Sequence, residues 1–452
     1  MTLPAARQLA DWVAGLEWDA VPADQHKLTD MRVLDTLGLA LAGSTTEAAA
    51  AARTVVQLQG VSAEAGILPD GKSAAASWAA FAHGVMAHCR DFDDTYQDSV
   101  VHPGSVVVPA ALAVGEAIDA DGQEIATAIT AGYEVAARLG AVAGRRFHAH
   151  GFHATGIVGP FAAAAAAGRL LRLDGEALSN AFGLTGSMSS GLMAFIADGS
   201  WSKWLHAGWA AHGGVVAAQL ASEGFRGPAG VLDGRHNLYS AMLANDAVDS
   251  TILTDDLGQD WRGATAHFKY YPCAHVIHPY LDAAIAIATE QNLVAGDVAG
   301  ADCRIAPWAA QIVSVPRDAK IRPDSEMAAI ASLPYLLAVA LSDREVTLDA
   351  LDARMRARPD LLDLAAALTH TEDPALGDGF DGVLHLSLKD GRVIERAATS
   401  APPDAPKLVA KFRANAGRAT THETAESLEH AVLDGPLPDF RTIRRIIRGE
   451  HG

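Results

Sequence analysis

Residues 86–96, MAHCRDFDDTY, combine an imidazole, carboxylates and a hydroxyl at spacings that favour proton transfer. If the segment is helical, His88, Asp91 and Thr95 fall at i, i+3 and i+7 and share one helix face. The following run, Val101-His102-Pro103-Gly104, would end that helix and place a second imidazole at its exit. An acid, a hydroxyl and an imidazole held together can remove a proton from a substrate and return it.

The acidic string at residues 91–94, DFDD, has two other interpretations. In a structural one, His88 and Asp91 form a buried hydrogen-bonded pair while Asp93 and Asp94 are solvated. In a chemical one, the string protonates an alkene or binds magnesium on a helical scaffold, as in terpene cyclases. Those enzymes line their pockets with aromatic side chains, which make up only 6% of this chain, so the composition disfavours this reading.

Two lysines stand in unusual surroundings in a chain whose basic residues are mostly arginine. Lys203 lies in GSWSKWLHAGWAA and Lys269 in HFKYYPCAHVIH; both are flanked by aromatic residues and followed by a histidine, His206 and His275 respectively. A desolvated lysine is a compact cation suited to one carboxylate oxygen. The alternative is a stem packed on aromatic rings with the amine in solvent.

Two further motifs are misleading matches. Residues 66–73, GILPDGKS, fit the phosphate-binding pattern, but no apolar strand precedes them and the Pro-Asp-Gly run is typical of a turn. In HAHGFH, the histidines His148, His150 and His153 cannot all converge on a metal without a loop, because residues two apart diverge on a helix or strand. We therefore interpret HAHGFH as a polar loop entering a helix, and expect neither a metal nor another cofactor.

The elements around these residues indicate a mainly α protein. Up to about residue 265, Ala-rich segments with apolar residues at three- and four-residue spacing predict helices separated by Gly, Asp-Gly or Pro. After that point QIVSVP (311–316) and DGVLHLSLKDGRVIERA (381–397) alternate as strands do, the second with a Lys-Asp-Gly turn, and helical patterns lie between them. The tail from about residue 406 is helical again and is expected to return to the first domain.

Composition narrows the function classes. The chain has 452 residues, 50% of them hydrophobic, and a formal net charge of -19, which disfavours binding to nucleic acid or to an anionic membrane surface. No apolar run reaches the roughly 20 residues that cross a bilayer, and the N-terminus does not read as a signal peptide. The three cysteines lack CxxC spacing, so we expect neither a disulfide framework nor an iron–sulfur site. We expect the protein to be cytoplasmic.

The order of five segments resembles the MmgE/PrpD family, which includes 2-methylcitrate dehydratase, cis-aconitate decarboxylase and iminodisuccinate epimerase. The matching segments begin HCRDFDDTYQDSVVHPG, HATGIVGPF, GSMSSGLMAF, KYYPCAHVIHPYLDA and, more loosely, MAAIASLPYLL, and together they span nearly the whole chain. The resemblance implies a large all-helical domain built from both chain ends (1–266 and 405–452), a smaller α+β domain (267–404), an active site in the cleft between them, and a homodimer.

The family's active-site pattern carries over residue by residue. It implies these catalytic residues: Asp91, Thr95, His102, His153, Lys203 and Lys269. His88, His206 and His275 are predicted to bind substrate. Between Thr95 and His102 the chain reads YQDSVV and lacks the THPSG form associated with cis-aconitate decarboxylase, which disfavours that specific assignment.

These residues predict a cofactor-independent reaction beside a carboxylate of a small di- or tricarboxylic acid. Lys203 and Lys269, with His275, would hold carboxylates and stabilise the charge that develops as a neighbouring proton leaves. His102 or Asp91 would act as base, and His153 or Thr95 would assist the leaving group or return the proton. Dehydration, decarboxylation and epimerisation share this charge development; we favour a lyase, with an epimerase as the alternative and a silent carboxylate-binding protein after it.

Overall fold

A computed structural model describes residues 3–60 and 62–450 of the chain. It divides into two compact units, one running up to Phe268 and resuming at Ala405, the other spanning Lys269–Asp404. Helices dominate the described residues, so the predicted mainly α class is confirmed. Within these residues we find no helix with both the length and the apolar character needed to cross a bilayer.

The first unit contains helices and two antiparallel pairs of two-residue strands. The helices are α1 (Ala5–Ala14), α2 (Ala23–Gly43), α3 (Glu47–Leu58), α4 (Ala76–His88), α5 (Gly104–Ala117), α6 (Gly122–Ala143), α7 (Arg146–Ala149), α8 (Ala154–Leu170), α9 (Gly175–Thr185), α10 (Ser202–Ser222) and α11 (Leu238–Met242). The antiparallel strand pairs are β1 (Ala65–Gly66) with β2 (Ser73–Ala74), and β3 (Thr95–Tyr96) with β4 (Ala266–His267).

Helix α8 lies in the core of this unit, and its alanine run at residues 162–167 is fully buried. Helices α4 and α10 pack against each other closely enough that the Cα atom of Gly208 lies only 2.8 Å from where a Cβ on Gly84 would be. Any larger residue at these two positions would force the helices apart. The small residues therefore bring the end of α4 near the start of α10, where His88 and Lys203 lie.

The second unit is an α+β arrangement. Its helices are α12 (His278–Glu290), α13 (Pro307–Val313), α14 (Arg317–Ile321), α15 (Glu326–Ile330), α16 (Leu333–Asp343), α17 (Ala353–Arg356) and α18 (Pro359–Ala366). Its sheet has the order β6-β5-β7-β8, formed by β5 (Val298–Ile305), β6 (Leu368–Glu372), β7 (Gly382–Leu388) and β8 (Val393–Ala398). The β5–β6 pair is parallel and the other two are antiparallel.

The C-terminal segment returns to the first unit, as the tail pattern predicts. It forms α19 (Ala405–Ala416), α20 (His422–Leu433) and α21 (Phe440–Ile447). Helix α19 packs on α2, where the buried ring of Phe412 would lie 2.8 Å from a Cβ at Gly38. This contact seats α19 directly beside Asp35, which lies one helical turn before Gly38 on α2.

Two secondary-structure predictions are wrong. The helix through residues 86–96 ends at His88, because Asp91 adopts a left-handed backbone (φ 48°) that a right-handed helix cannot continue through. The predicted strand at residues 311–316 is instead the end of α13 and the turn after it. The six-residue pattern of residues 311–316 is too short to distinguish a strand from a helix end. The hairpin around Lys389-Asp390-Gly391 is confirmed as β7–β8.

Candidate active site

Lys203 and Asp91 form an ion pair in the first unit. Lys203 lies in the first turn of α10, and its Nζ is 2.6 Å from Oδ2 of Asp91. Both side chains are largely shielded, with exposed fractions of 12% and 6%. The left-handed turn that stops α4 points Asp91 toward α10 rather than along its own helix. The cation predicted from the aromatic surroundings of Lys203 is therefore present, with a carboxylate as its partner.

His88, the last residue of α4, is oriented by Asp93. Its Nδ1 lies 2.8 Å from Oδ2 of Asp93, and both side chains are buried. An ionised carboxylate only accepts hydrogen bonds, so Nδ1 is the donor in this pair, and the lone pair of the corresponding neutral tautomer is on Nε2. This Nε2 is buried and has no hydrogen-bond partner among the described residues. The structural alternative, with Asp93 and Asp94 in solvent, is thus wrong because both acids are buried.

Asp94 ties the acidic segment to two helices. Its Oδ1 accepts a hydrogen bond of 2.8 Å from the N–H of Gly104, the first residue of α5, and its Oδ2 accepts one of 2.6 Å from the hydroxyl of Tyr133 on α6. The guanidinium of Arg32 lies 3.8 Å above the Tyr133 ring. Burial raises the pKa of Asp94, whereas the Tyr133 hydroxyl, the Arg32 cation and the Gly104 N–H lower it. These bonds fix Asp94 against the start of α5 and against α6.

His102 is held in one tautomer by the backbone. Its Nδ1 lies 2.8 Å from the carbonyl oxygen of Asp94 and 3.3 Å from Oγ1 of Thr95. A carbonyl oxygen only accepts, so Nδ1 donates, and Nε2 is the basic nitrogen of the neutral ring. The backbone N–H of His102 donates to Oγ1 of Thr155 at 3.1 Å, which fixes the base of the side chain. The geometry equips His102 to take up a proton at Nε2.

His153 and His206 share a proton. The Nδ1 atoms of these rings are 3.1 Å apart, so one of them donates and the other accepts. Burial lowers the pKa of His153 well below its usual range, and the Lys203 cation and neighbouring histidines lower it further. Burial, His88 and Lys203 lower the pKa of His206 to about 4. Both imidazoles are therefore neutral near pH 7.

Four imidazoles from separate elements form what we call the histidine cluster, namely His88, His102, His153 and His206. Ring centroids are 5.1 Å apart for His88 and His102, 5.7 Å for His88 and His153, and 5.2 Å for His153 and His206. His153 stands at the N-cap of α8 and His206 on α10 beside Lys203. The structure thus brings together the predicted site residues of the first unit.

The three HAHGFH histidines do not all converge, as their spacing predicts. The exposed His150 lies 3.2 Å from Asp246, whereas the ring of His148 is 6.0 Å from that of His153. Burial lowers the pKa of His148 to about 4. Over residues 3–60 and 62–450, no three His, Cys, Asp or Glu side chains are arranged to hold a metal ion.

Lys269 and His275 belong to the second unit. Lys269 is its first residue and is buried. His275 begins a short 3₁₀ turn, with its ring 4.5 Å from that of His278 and 5.5 Å from that of Phe380. Their roles in binding a carboxylate stay predictions.

Sequence reasoning missed Asp93 as the partner of His88 and Tyr133 as the partner of Asp94. A five-residue separation such as that of His88 and Asp93 matches no face of a regular helix, so helical periodicity could not indicate that pair. Tyr133 lies 39 residues from Asp94, and the contact depends on how α6 packs. The one sequence signal for these contacts was the high density of acidic residues at 91–94, within the Ala-rich half of the chain that is expected to be buried.

Comparison with known proteins shows the family to which the chain belongs. Relatives include cis-aconitate decarboxylases from Mus musculus (30% identical, covering 82% of this chain and 78% of the relative), Homo sapiens (28%, covering 92% and 89%) and Aspergillus terreus (24%, covering 94% and 92%). Residues 7–251 match the MmgE/PrpD N-terminal domain, and residues 271–434 match the C-terminal domain of the same family. The chain therefore belongs to the MmgE/PrpD family.

Proposed function

We propose that this protein is a cofactor-independent lyase acting beside a carboxylate of a small di- or tricarboxylic acid, with cis-aconitate as the first candidate substrate. The observation that carries the proposal is the histidine cluster next to Lys203. It places oriented, buried imidazoles beside a shielded cation in a chain of net charge -19. The names of the relatives support testing cis-aconitate first, although the YQDSVV segment between Thr95 and His102 counts against this particular substrate.

The chemistry needs one cationic site and one proton donor. When cis-aconitate loses the carboxylate of its CH2 arm as CO2, the C–C bonding pair forms a new double bond to the central carbon. The electrons of the original double bond move to the adjacent CH carbon, which carries a carboxylate and takes up a proton. Charge builds on that carboxylate before protonation, and a fixed cation stabilises it. The products are CO2 and an unsaturated dicarboxylate.

We assign roles to the residues of the first unit on their geometry. Lys203 binds the carboxylate on which charge develops. His102, with Nδ1 committed to the Asp94 carbonyl, exchanges a proton through Nε2. His88, oriented by Asp93, is the second candidate for proton exchange. His153, neutral and bonded to His206, and Thr95, beside His102, assist by hydrogen bonding. Lys269 and His275 are proposed to bind a further carboxylate.

The test is turnover of cis-aconitate and 2-methylcitrate by the purified protein, with products identified by NMR and CO2 measured. EDTA should leave the rate unchanged. His102→Gln and Lys203→Met should each lower kcat at least about 100-fold. The control is His150→Gln, an exposed histidine of the same half, which should retain wild-type kcat.

Reactions in D2O distinguish the alternatives. A lyase forms a product of different composition, whereas an epimerase of a dicarboxylate incorporates deuterium and inverts a centre without loss of a group. If no small polycarboxylate is either converted or labelled with deuterium, the proposed lyase function is wrong and a carboxylate-binding protein remains.

A further inference from the structure

A buried lysine from the C-terminal segment lies directly behind the acidic loop, which we define as residues 91–95. The Nζ of Lys411, on α19, is 2.6 Å from Oδ1 of Asp35 on α2. The same ammonium donates a hydrogen bond of 2.8 Å to the backbone carbonyl of Phe92. The two charged side chains are only 2% and 4% exposed. One cation therefore joins both ends of the chain to the acidic loop.

The position of Phe92 gives this contact its importance. Phe92 stands between Asp91, which holds Lys203, and Asp93, which orients His88. The ammonium of Lys411 also lies 4.2 Å from the centre of the Phe92 ring. Phe92, which links Asp91 and Asp93, therefore contacts the Lys411 ammonium through both its backbone carbonyl and its ring.

Charge balance behind the loop depends on the same lysine. Burial lowers the pKa of Lys411, and the carboxylates of Asp35, Asp93 and Asp94 oppose this by favouring its charged form. The pKa of Asp35 is raised to about 6, because the effect of burial exceeds the opposing effect of the Lys411 cation. Breaking such a buried pair at one partner is strongly destabilising, whereas neutralising both partners removes the unpaired charge.

We propose that Lys411 and Asp35 are a positioning pair that sets the orientation of His88, His102 and Lys203 through the peptide of Phe92. Neither residue is among those to which we assign contact with the substrate. The pair would affect turnover by fixing the acidic loop, and this effect on turnover rests on the proposed function. A purely structural role would stabilise the first unit and leave proton transfer unaffected.

Two neutral double variants separate these roles. Asp35→Asn with Lys411→Met removes both charges and the donor to the Phe92 carbonyl. Asp35→Asn with Lys411→Gln also removes both charges but keeps an N–H donor. We expect the Met variant to lose at least about tenfold in kcat with a shifted pH–rate profile, since small displacements of catalytic groups are costly. The Gln variant should recover part of that loss.

A readout independent of turnover uses protein labelled with ¹⁵N-histidine. The ring nitrogen shifts report the His102 tautomer, which depends on the Asp94 carbonyl of the loop. We expect one Nδ1–H tautomer in the wild type and a mixture in the Met variant. If the protein converts no polycarboxylate, this measurement still tests the positioning of the loop, so the two proposals fail separately.

A folded Met variant with wild-type kcat, pH–rate profile and histidine spectrum would overturn the proposal. Should the neutral variants fail to fold, Lys411→Arg replaces them. Its guanidinium keeps the ion pair with Asp35, but a planar fork cannot retain the same point contact with the Phe92 carbonyl. We expect kcat and the tautomer ratio to change in that variant, and a folded Arg variant that matches the wild type in both also overturns the proposal.

Discussion

The ion pair between Lys203 and Asp91 makes a quantitative prediction about ligand binding. An incoming carboxylate that contacts Lys203 must share the ammonium with Asp91. Asp91→Asn removes the competing charge, and asparagine tolerates the left-handed backbone (φ 48°) of this position. We therefore expect the variant to bind a polycarboxylate more tightly than the wild type while turning it over more slowly.

The magnitude follows from the geometry. Asp91 lies 2.6 Å from the ammonium. A second carboxylate at an ordinary charge-assisted distance on the other side would lie about 5 Å from it. Two like charges at that separation repel by about 3 kcal/mol at an effective dielectric constant of about 20. Because the Lys203 side chain keeps 12% of its surface exposed, solvent screening reduces this repulsion to about 1–2 kcal/mol. That energy corresponds to roughly a 5- to 30-fold decrease in Kd.

The assay is calorimetric titration with propane-1,2,3-tricarboxylate, which has no double bond and undergoes no decarboxylation of this kind. Asp390→Asn provides the matched control because it neutralises a half-exposed carboxylate that is ion-paired to Arg392, changing the net charge equally. Its Kd should equal that of the wild type, and Lys203→Met should bind far more weakly. A Kd for Asp91→Asn that is unchanged or higher would refute the placement of the substrate carboxylate on Lys203.

Two further predictions concern stability. Because the pKa of His206 is lowered to about 4, the unfolded chain binds a proton that the folded chain does not between about pH 6.5 and 4. The free energy of unfolding should therefore fall as pH drops through that window, by up to about 3 kcal/mol from this group. In urea unfolding at several pH values, the free energy of unfolding should depend less steeply on pH for His206→Gln than for the wild type. Parallel pH dependences would contradict the lowered pKa of His206. A Cβ at Gly208 would lie 2.5 Å from the carbonyl oxygen of Phe81, so Gly208→Ala should cost about 1–3 kcal/mol by calorimetry. Gly213→Ala on the same helix should cost little stability, because the nearest atom to its Cβ is 3.8 Å away. Equal losses of stability in the two variants would exclude the close approach of α4 and α10 as the cause of the Gly208→Ala effect.

Local patterns predicted much of this molecule because local forces dominate those parts. The Ala-rich helices of the first unit follow from apolar residues at helical spacing, and the β7–β8 hairpin follows from alternation around Lys389-Asp390-Gly391. The position of His153 at the start of α8 was likewise readable from the chain. Each of these features depends on residues within a few positions of one another.

The partners in the candidate site were not predictable in the same way. Lys203 and Asp91 are 112 residues apart, and their contact requires the packing of α4 against α10. The helical face predicted for His88, Asp91 and Thr95 failed because the left-handed backbone of Asp91 ends the helix there. The imidazoles of the histidine cluster nevertheless meet, because tertiary packing brings together residues from separate elements.

The bond from Lys411 to Phe92 has a consequence for biosynthesis. A ribosome makes Asp35 and the acidic loop early and Lys411 only after the whole of the second unit. Until α19 emerges, the nascent first unit contains Asp35, which is buried in the folded protein, without the Lys411 ammonium that pairs with it. Completion of the first unit around the acidic loop therefore waits for the last part of translation, whereas the second unit, contiguous in the chain, has all its residues sooner.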